Sequence, residues 1–98
     1  MELMKELKDH TPAEALKALR DMRGLTLREL EEATRKVDPR GIGIDRTMIS
    51  GHEHGHKGIS MPSAELYAMA LSTPENTVPR SVFGWPMPGE KDAADAGT

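Results

Sequence analysis

Apolar residues recur every three or four positions in short blocks divided by glycine, proline and capping residues, a spacing that predicts short amphipathic helices. The first block follows Thr11-Pro12-Ala13-Glu14, a capping box with proline at the first helical position. It predicts a helix to Arg23 that buries Ala15, Leu16, Leu19 and Met22 and stops at Gly24. Thr26-Leu27-Arg28-Glu29 is a second capping box only two residues later. Its helix should extend to about Val37, because Pro39 cannot continue a helix and Gly41 tolerates positive φ.

The stretch from Gly43 to Gly55, G-I-D-R-T-M-I-S-G-H-E-H-G, is the most informative. Asp45 is a good N-cap, Arg46 to His52 can form two helical turns, and Gly55 stops them. Met48, Ile49 and His52 fall at a spacing that packs one face inward. Arg46, Thr47, Ser50 and Gly51 are left on the outer face. A short, capped helix with small polar and basic outer residues suits a DNA major groove.

These residues resemble the lambda-repressor/Cro-like (XRE-type) helix-turn-helix family. Its recognition helix reads glycine, aliphatic, cap, polar residues, I-S, then E-x-G; Gly43, Ile44, Asp45, Ile49, Ser50, Glu53 and Gly55 sit in that register. Leu16 to Leu30 is similar to the family's first helix, glycine stop and second-helix start. Met61-Pro62-Ser63-Ala64-Glu65-Leu66 looks like its opening of helix four, and Thr77 to Trp85 would hold a short fifth helix. The resemblance implies an all-α, five-helix lambda-repressor-like DNA-binding domain over residues 11–85. It also implies that Arg46, Thr47, Ser50 and Gly51 occupy the base-reading row, although Gly51 lacks a side chain where relatives often place a reader. The N-terminal ends of helices two and three would face phosphate, making Thr26, Arg28, His54 and Lys57 candidate phosphate contacts. Three departures stand out: Glu31 replaces a small residue, Leu27 replaces a glutamine, and about eight extra residues, Arg35 to Ile42, extend the turn between helices two and three. Within that turn Arg35, Lys36 and Arg40 either clamp the DNA backbone or merely keep a long loop soluble.

A chain of 98 residues makes one domain with a modest core, filled by Leu, Met, Ile and Ala because aromatics are scarce. No long apolar run predicts a membrane span, and the charged start, Met1 to His10, lacks a signal-peptide pattern. With no cysteine, the default expectation is the cytoplasm. Net charge is −3, yet residues 35–57 hold five Lys or Arg against three acids, so nucleic-acid binding is permitted rather than favoured. Leu3, Met4 and Leu7 suggest that residues 1–10 form an extra helical turn or a dimerisation arm. Residues 86–98 have no apolar anchor after Met87 and are expected to be a disordered tail.

His52-Glu53-His54-Gly55-His56 formally matches the zinc-metalloprotease pattern H-E-x-x-H. Against it stand Gly55 inside the required helical turn, the lack of an evident third ligand, and a chain too short for a substrate cleft. No cofactor, metal or catalysis is therefore expected. The sequence reads as a transcriptional regulator, a repressor by occlusion, that binds double-stranded DNA as a homodimer joined near Val82, Phe83 and Trp85. The alternative is a protein-interaction module on the same fold, an antitoxin or adaptor.

Overall fold

Each α-helix starts where a hydroxyl or carboxylate satisfies a free backbone amide. The computed structural model describes residues 10–86, which form four α-helices and a 3₁₀ turn: α1 (Pro12–Met22), α2 (Leu27–Val37), α3 (Arg46–Glu53), α4 (Met61–Leu71) and the turn Arg80–Phe83. Both expected capping boxes close in both directions, Thr11 with Glu14 at 3.0 and 3.1 Å and Thr26 with Glu29 at 2.8 and 3.1 Å. Asp45 caps α3 by accepting from the Met48 amide at 2.9 Å. Ser60 does the same for α4 through the Ser63 amide at 3.3 Å, with Pro62 in the first turn.

The core joins Leu16 and Leu19 of α1, Leu30 of α2, Ile49 of α3, Tyr67 and Leu71 of α4, and Phe83. Tyr67 and Phe83 pack at the centre with ring centroids 5.7 Å apart, so the few aromatics are spent where most apolar area is covered. α3 rests on α1 and α2, while α2 packs against α4. The fold is therefore all-α, with α3 lying across two other helices and one long side left open.

Three expectations are corrected. Met22 is 60% exposed, because α1 ends at Met22 and its last turn projects past the core. Met48 is 37% exposed; only Ile49 and His52 carry the inner face of α3. The anticipated fifth helix over Thr77 to Trp85 is only a 3₁₀ turn, since extended Pro79 precedes it and Gly84 at φ 94° ends it. Apart from His10 and Pro86, the anticipated N-terminal turn and disordered tail lie outside the described residues. Among the described residues no helix is long and apolar enough to cross a membrane.

Candidate nucleic-acid interface

The extended turn between α2 and α3 is built on one carboxylate. Asp38 Oδ1 accepts from the Arg40 amide at 2.9 Å, and Oδ2 accepts from the amides of Ile42 at 3.2 Å and Gly43 at 2.8 Å. The Gly41 amide donates to the Asp38 carbonyl at 2.8 Å, and the Ile44 amide to Thr34 Oγ1 at 2.9 Å. Five consecutive amides are thus satisfied by two residues of α2 and its cap. These backbone donors, with the Arg40 side chain adding to them, hold the Asp38 carboxyl down at about 2. Gly43 completes the junction. It has φ 71°, and a Cβ there would lie 2.7 Å from the Arg35 amide nitrogen, so only glycine fits against α2. Thr34 is fully buried at this junction and Asp38 and Ile44 are nearly so, whereas Glu31 lies half-buried and 3.9 Å from Arg35.

Two buried contacts fasten the other end of α3. Arg20 grips Glu53 in a fork, Nε to Oε2 at 2.5 Å and Nη2 to Oε1 at 2.9 Å, and its Nη1 also donates to the Leu25 carbonyl at 2.8 Å. The side chains of Arg20 and Glu53 are only 13% and 4% exposed. Hydrogen bonding to Glu53 raises the Arg20 pKa further, against the opposing pull of burial. One residue earlier, His52 Nδ1 lies 2.7 Å from the Tyr67 hydroxyl. Burial, followed by the charge of Lys57, lowers the His52 pKa; burial, followed by Glu53 and Asp45, raises that of Tyr67. At neutral pH this contact is a bond between an uncharged imidazole and an uncharged phenol.

With its inner face held, α3 leaves Arg46 and Thr47 exposed to solvent, with Ser50 and Gly51 half-covered beside them. These four line an open concavity together with Leu27 at the start of α2 and with His56 and Lys57 after α3. The Lys57 stem lies across α3 over Gly51, where an added Cβ would stand in ordinary contact, 3.5 Å from Cγ and Cδ of the lysine. His54 Nδ1 donates to the Ser50 carbonyl at 2.8 Å, which orients its ring against His56 with centroids 5.7 Å apart.

The candidate phosphate residues separate into two groups. Thr26 and Arg28 flank Leu27 at the start of α2, close to the concavity that Lys57 also lines. Arg35, Lys36 and Arg40 sit at the far end of α2, on the order of 12 Å along the helix axis, and do not line that concavity. Arg35 pairs with Glu32 at 2.6 Å and Arg40 with Asp38 at 3.4 Å. Among the described residues Arg28, Lys36, Arg46 and Lys57 form no ion pair.

Comparisons with protein-family models, curated proteins and solved structures found no match.

The histidine-rich segment does not assemble the protease arrangement. α3 ends at Glu53, so His56 lies beyond the helix rather than one turn from His52 on the same face. His52 is bonded to Tyr67, and Glu53 is chelated by Arg20. Of the residues expected to join two subunits, Phe83 is buried in the core, Val82 is half-buried, and Trp85 donates its indole N–H to the Ile59 carbonyl at 2.7 Å while keeping 39% of its surface exposed. Sequence reading missed His56 as a lining residue and Asp38 as the centre of the turn. The D-P-R-G run at residues 38–41 carries the signal for Asp38, because an aspartate before proline and glycine commonly bonds the amide two residues on.

Proposed function

We propose that the chain is a sequence-specific double-stranded DNA-binding regulator of the lambda-repressor/Cro-like type, with α3 as its recognition helix. The observation that carries this reading is the outer face of α3. Arg46, Thr47 and Ser50 are displayed on a helix clamped at both ends, and Lys57, without an ion-pair partner among the described residues, lies beside them. Arg46 suits a guanine edge, Thr47 and Ser50 suit either base edge or phosphate, and Lys57 with the start of α2 suits the flanking backbone. A helix of eight residues reaches only a few base pairs, so two subunits on two half-sites would be needed for useful discrimination. Occupancy of a promoter would then repress by occlusion, in the cytoplasm beside the DNA.

The test is selection of bound duplexes from a random pool, with wild type and Arg46→Ala in parallel. The variant should bind the selected site about 1–3 kcal/mol more weakly and lose preference at one position. Enrichment of no sequence by the wild type would refute the reading. One observation favours a protein-interaction module instead: Arg35 and Arg40 are neutralised by the chain's own carboxylates, and neighbouring Ile42 is 62% exposed. That rival requires the wild type to enrich no duplex while a protein partner protects Ile42.

A further inference from the structure

The concavity beside α3 is not polar throughout. Arg46 and Lys57 make its rim cationic, and none of the described residues that line it is acidic. Its α2 side is apolar, because Leu27, the first residue of α2, lines it there. The capping box of Thr26 and Glu29 fixes that first turn, and Leu27 is half-buried against the core, so its side chain is held in place while still facing the concavity. On the α3 side Gly51 contributes no side chain and the carbon stem of Lys57 lies over it, while exposed Thr47 adds a methyl group. Leucine offers neither a donor nor an acceptor, so whatever meets Leu27 gains only by burying apolar surface.

We infer that this recess takes the 5-methyl group of a pyrimidine, that of a thymine in the bound duplex, with Leu27 as a specificity-determining residue. Charge complementarity selects the occupant. A cationic rim attracts a polyanion, and the major-groove edges of a duplex present donors and acceptors but only one methyl group, on C5 of thymine. An apolar spot inside a cationic rim therefore has one natural counterpart on DNA. Cytosine carries a hydrogen in that place unless it is methylated, so 5-methylcytosine is a second source of the same chemistry. The inference rests on the DNA reading of the α3 face and deepens it by naming one base that the site prefers. It also gives α2 a part in base reading, through a residue whose side chain cannot hydrogen-bond a phosphate.

The experiment is competition binding by the full chain, starting from the duplex enriched in the random-pool selection. Each thymine in turn is replaced by deoxyuridine, which keeps the base pair and lacks the methyl. At one position of a half-site the wild type should bind about fourfold more weakly, the effect of taking one methyl group out of an apolar contact. Leu27→Ala should bind the thymine and deoxyuridine duplexes alike. Gly51→Leu fills the recess from a helical position where a Cβ meets only ordinary contact; it should erase the difference too, and it decides the matter if circular dichroism shows that Leu27→Ala fails to fold. With a cytosine·guanine pair at that position, methylating the cytosine at C5 should strengthen wild-type binding by a similar factor. Tighter binding of the 5-methylcytosine duplex than of the thymine duplex would overturn the assignment to thymine. A wild type that enriches a duplex but never distinguishes thymine from deoxyuridine, or variants that keep the distinction, would overturn the inference and leave the DNA reading standing. Enrichment of no duplex would remove both.

Discussion

Removing either half of the Arg20–Glu53 fork tests whether α3 is held from below by a desolvated ion pair. Arg20→Met keeps most of the side-chain volume and deletes the guanidinium, stranding a Glu53 carboxylate that is only 4% exposed. Stranding a buried charge costs about 3–5 kcal/mol, far more than breaking a solvated surface pair. Glu53→Gln is milder, because its carbonyl still accepts one Arg20 N–H while its amide opposes the other; about 1.5–3 kcal/mol is expected. The double variant Arg20→Met/Glu53→Met leaves no orphan charge and should be less destabilised than the sum of the single losses.

Urea unfolding followed by circular dichroism gives these differences, read as shifts in midpoint at constant slope. A domain of this size shifts its Tm by about 4–8 °C per kcal/mol, so Arg20→Met should melt more than about 10 °C below wild type. Single variants within about 0.5 kcal/mol of wild type, or strictly additive losses in the double variant, would refute the reasoning. Either result would mean that the fork is a solvated pair contributing little. Glu53→Gln also speaks to the histidine motif: neither it nor the wild type should hydrolyse a peptide, with or without added zinc.

Gly43→Ala should lose about 2 kcal/mol or more, as it combines positive φ with a clash on the Arg35 backbone; Gly51→Ala should gain up to about 1 kcal/mol from helix propensity, since its Cβ meets only the lysine stem. Thermal melts of the two variants check this contrast. Acid titration should reveal two losses of stability. His52 is harder to protonate folded than unfolded, so its contribution is present above pH about 6.5 and falls away as pH drops toward its lowered folded value. Asp38, lowered from 3.8 to about 2, contributes above its unfolded value and loses that contribution between those limits as pH falls. His52→Gln should flatten the first step and Asp38→Asn the second in denaturant midpoints measured against pH. On a selected duplex, Lys57→Gln should lower the salt slope by about 0.9, whereas Arg35→Gln should change it less because Glu32 already neutralises that arginine.

The helix starts were legible because capping is local. Thr11, Thr26 and Asp45 each need only a partner three residues on, so position in the chain fixes the contact. Met22 and Met48 were misplaced because periodicity assigns a face but not where the neighbouring helices end. The fifth helix failed on competition between levels: apolar Val82, Phe83 and Trp85 invite a helix, but Pro79 and Gly84 leave room for a single tight turn.

The site divides along the same line between local and distant causes. That Arg46, Thr47, Ser50 and Gly51 share an outer face follows from helical geometry and was readable directly. Their support was not, because it comes from Arg20, thirty-three residues before Glu53, and from Tyr67, fifteen after His52. The same reasoning separates the basic residues. Sequence counts five Lys or Arg between residues 35 and 57 as one electropositive stretch. Folding removes Arg35 and Arg40 from that total by pairing them with acids on α2 and in its cap, and places Lys57 against Gly51. Affinity for a polyanion depends on phosphates neutralised by unpaired cations, not on how many basic residues the chain contains. The field at the α3 face is therefore set chiefly by Arg46 and Lys57 with Arg28 beside them, a small number for a lone subunit. That scarcity is a physical reason for expecting this chain to engage DNA as a pair.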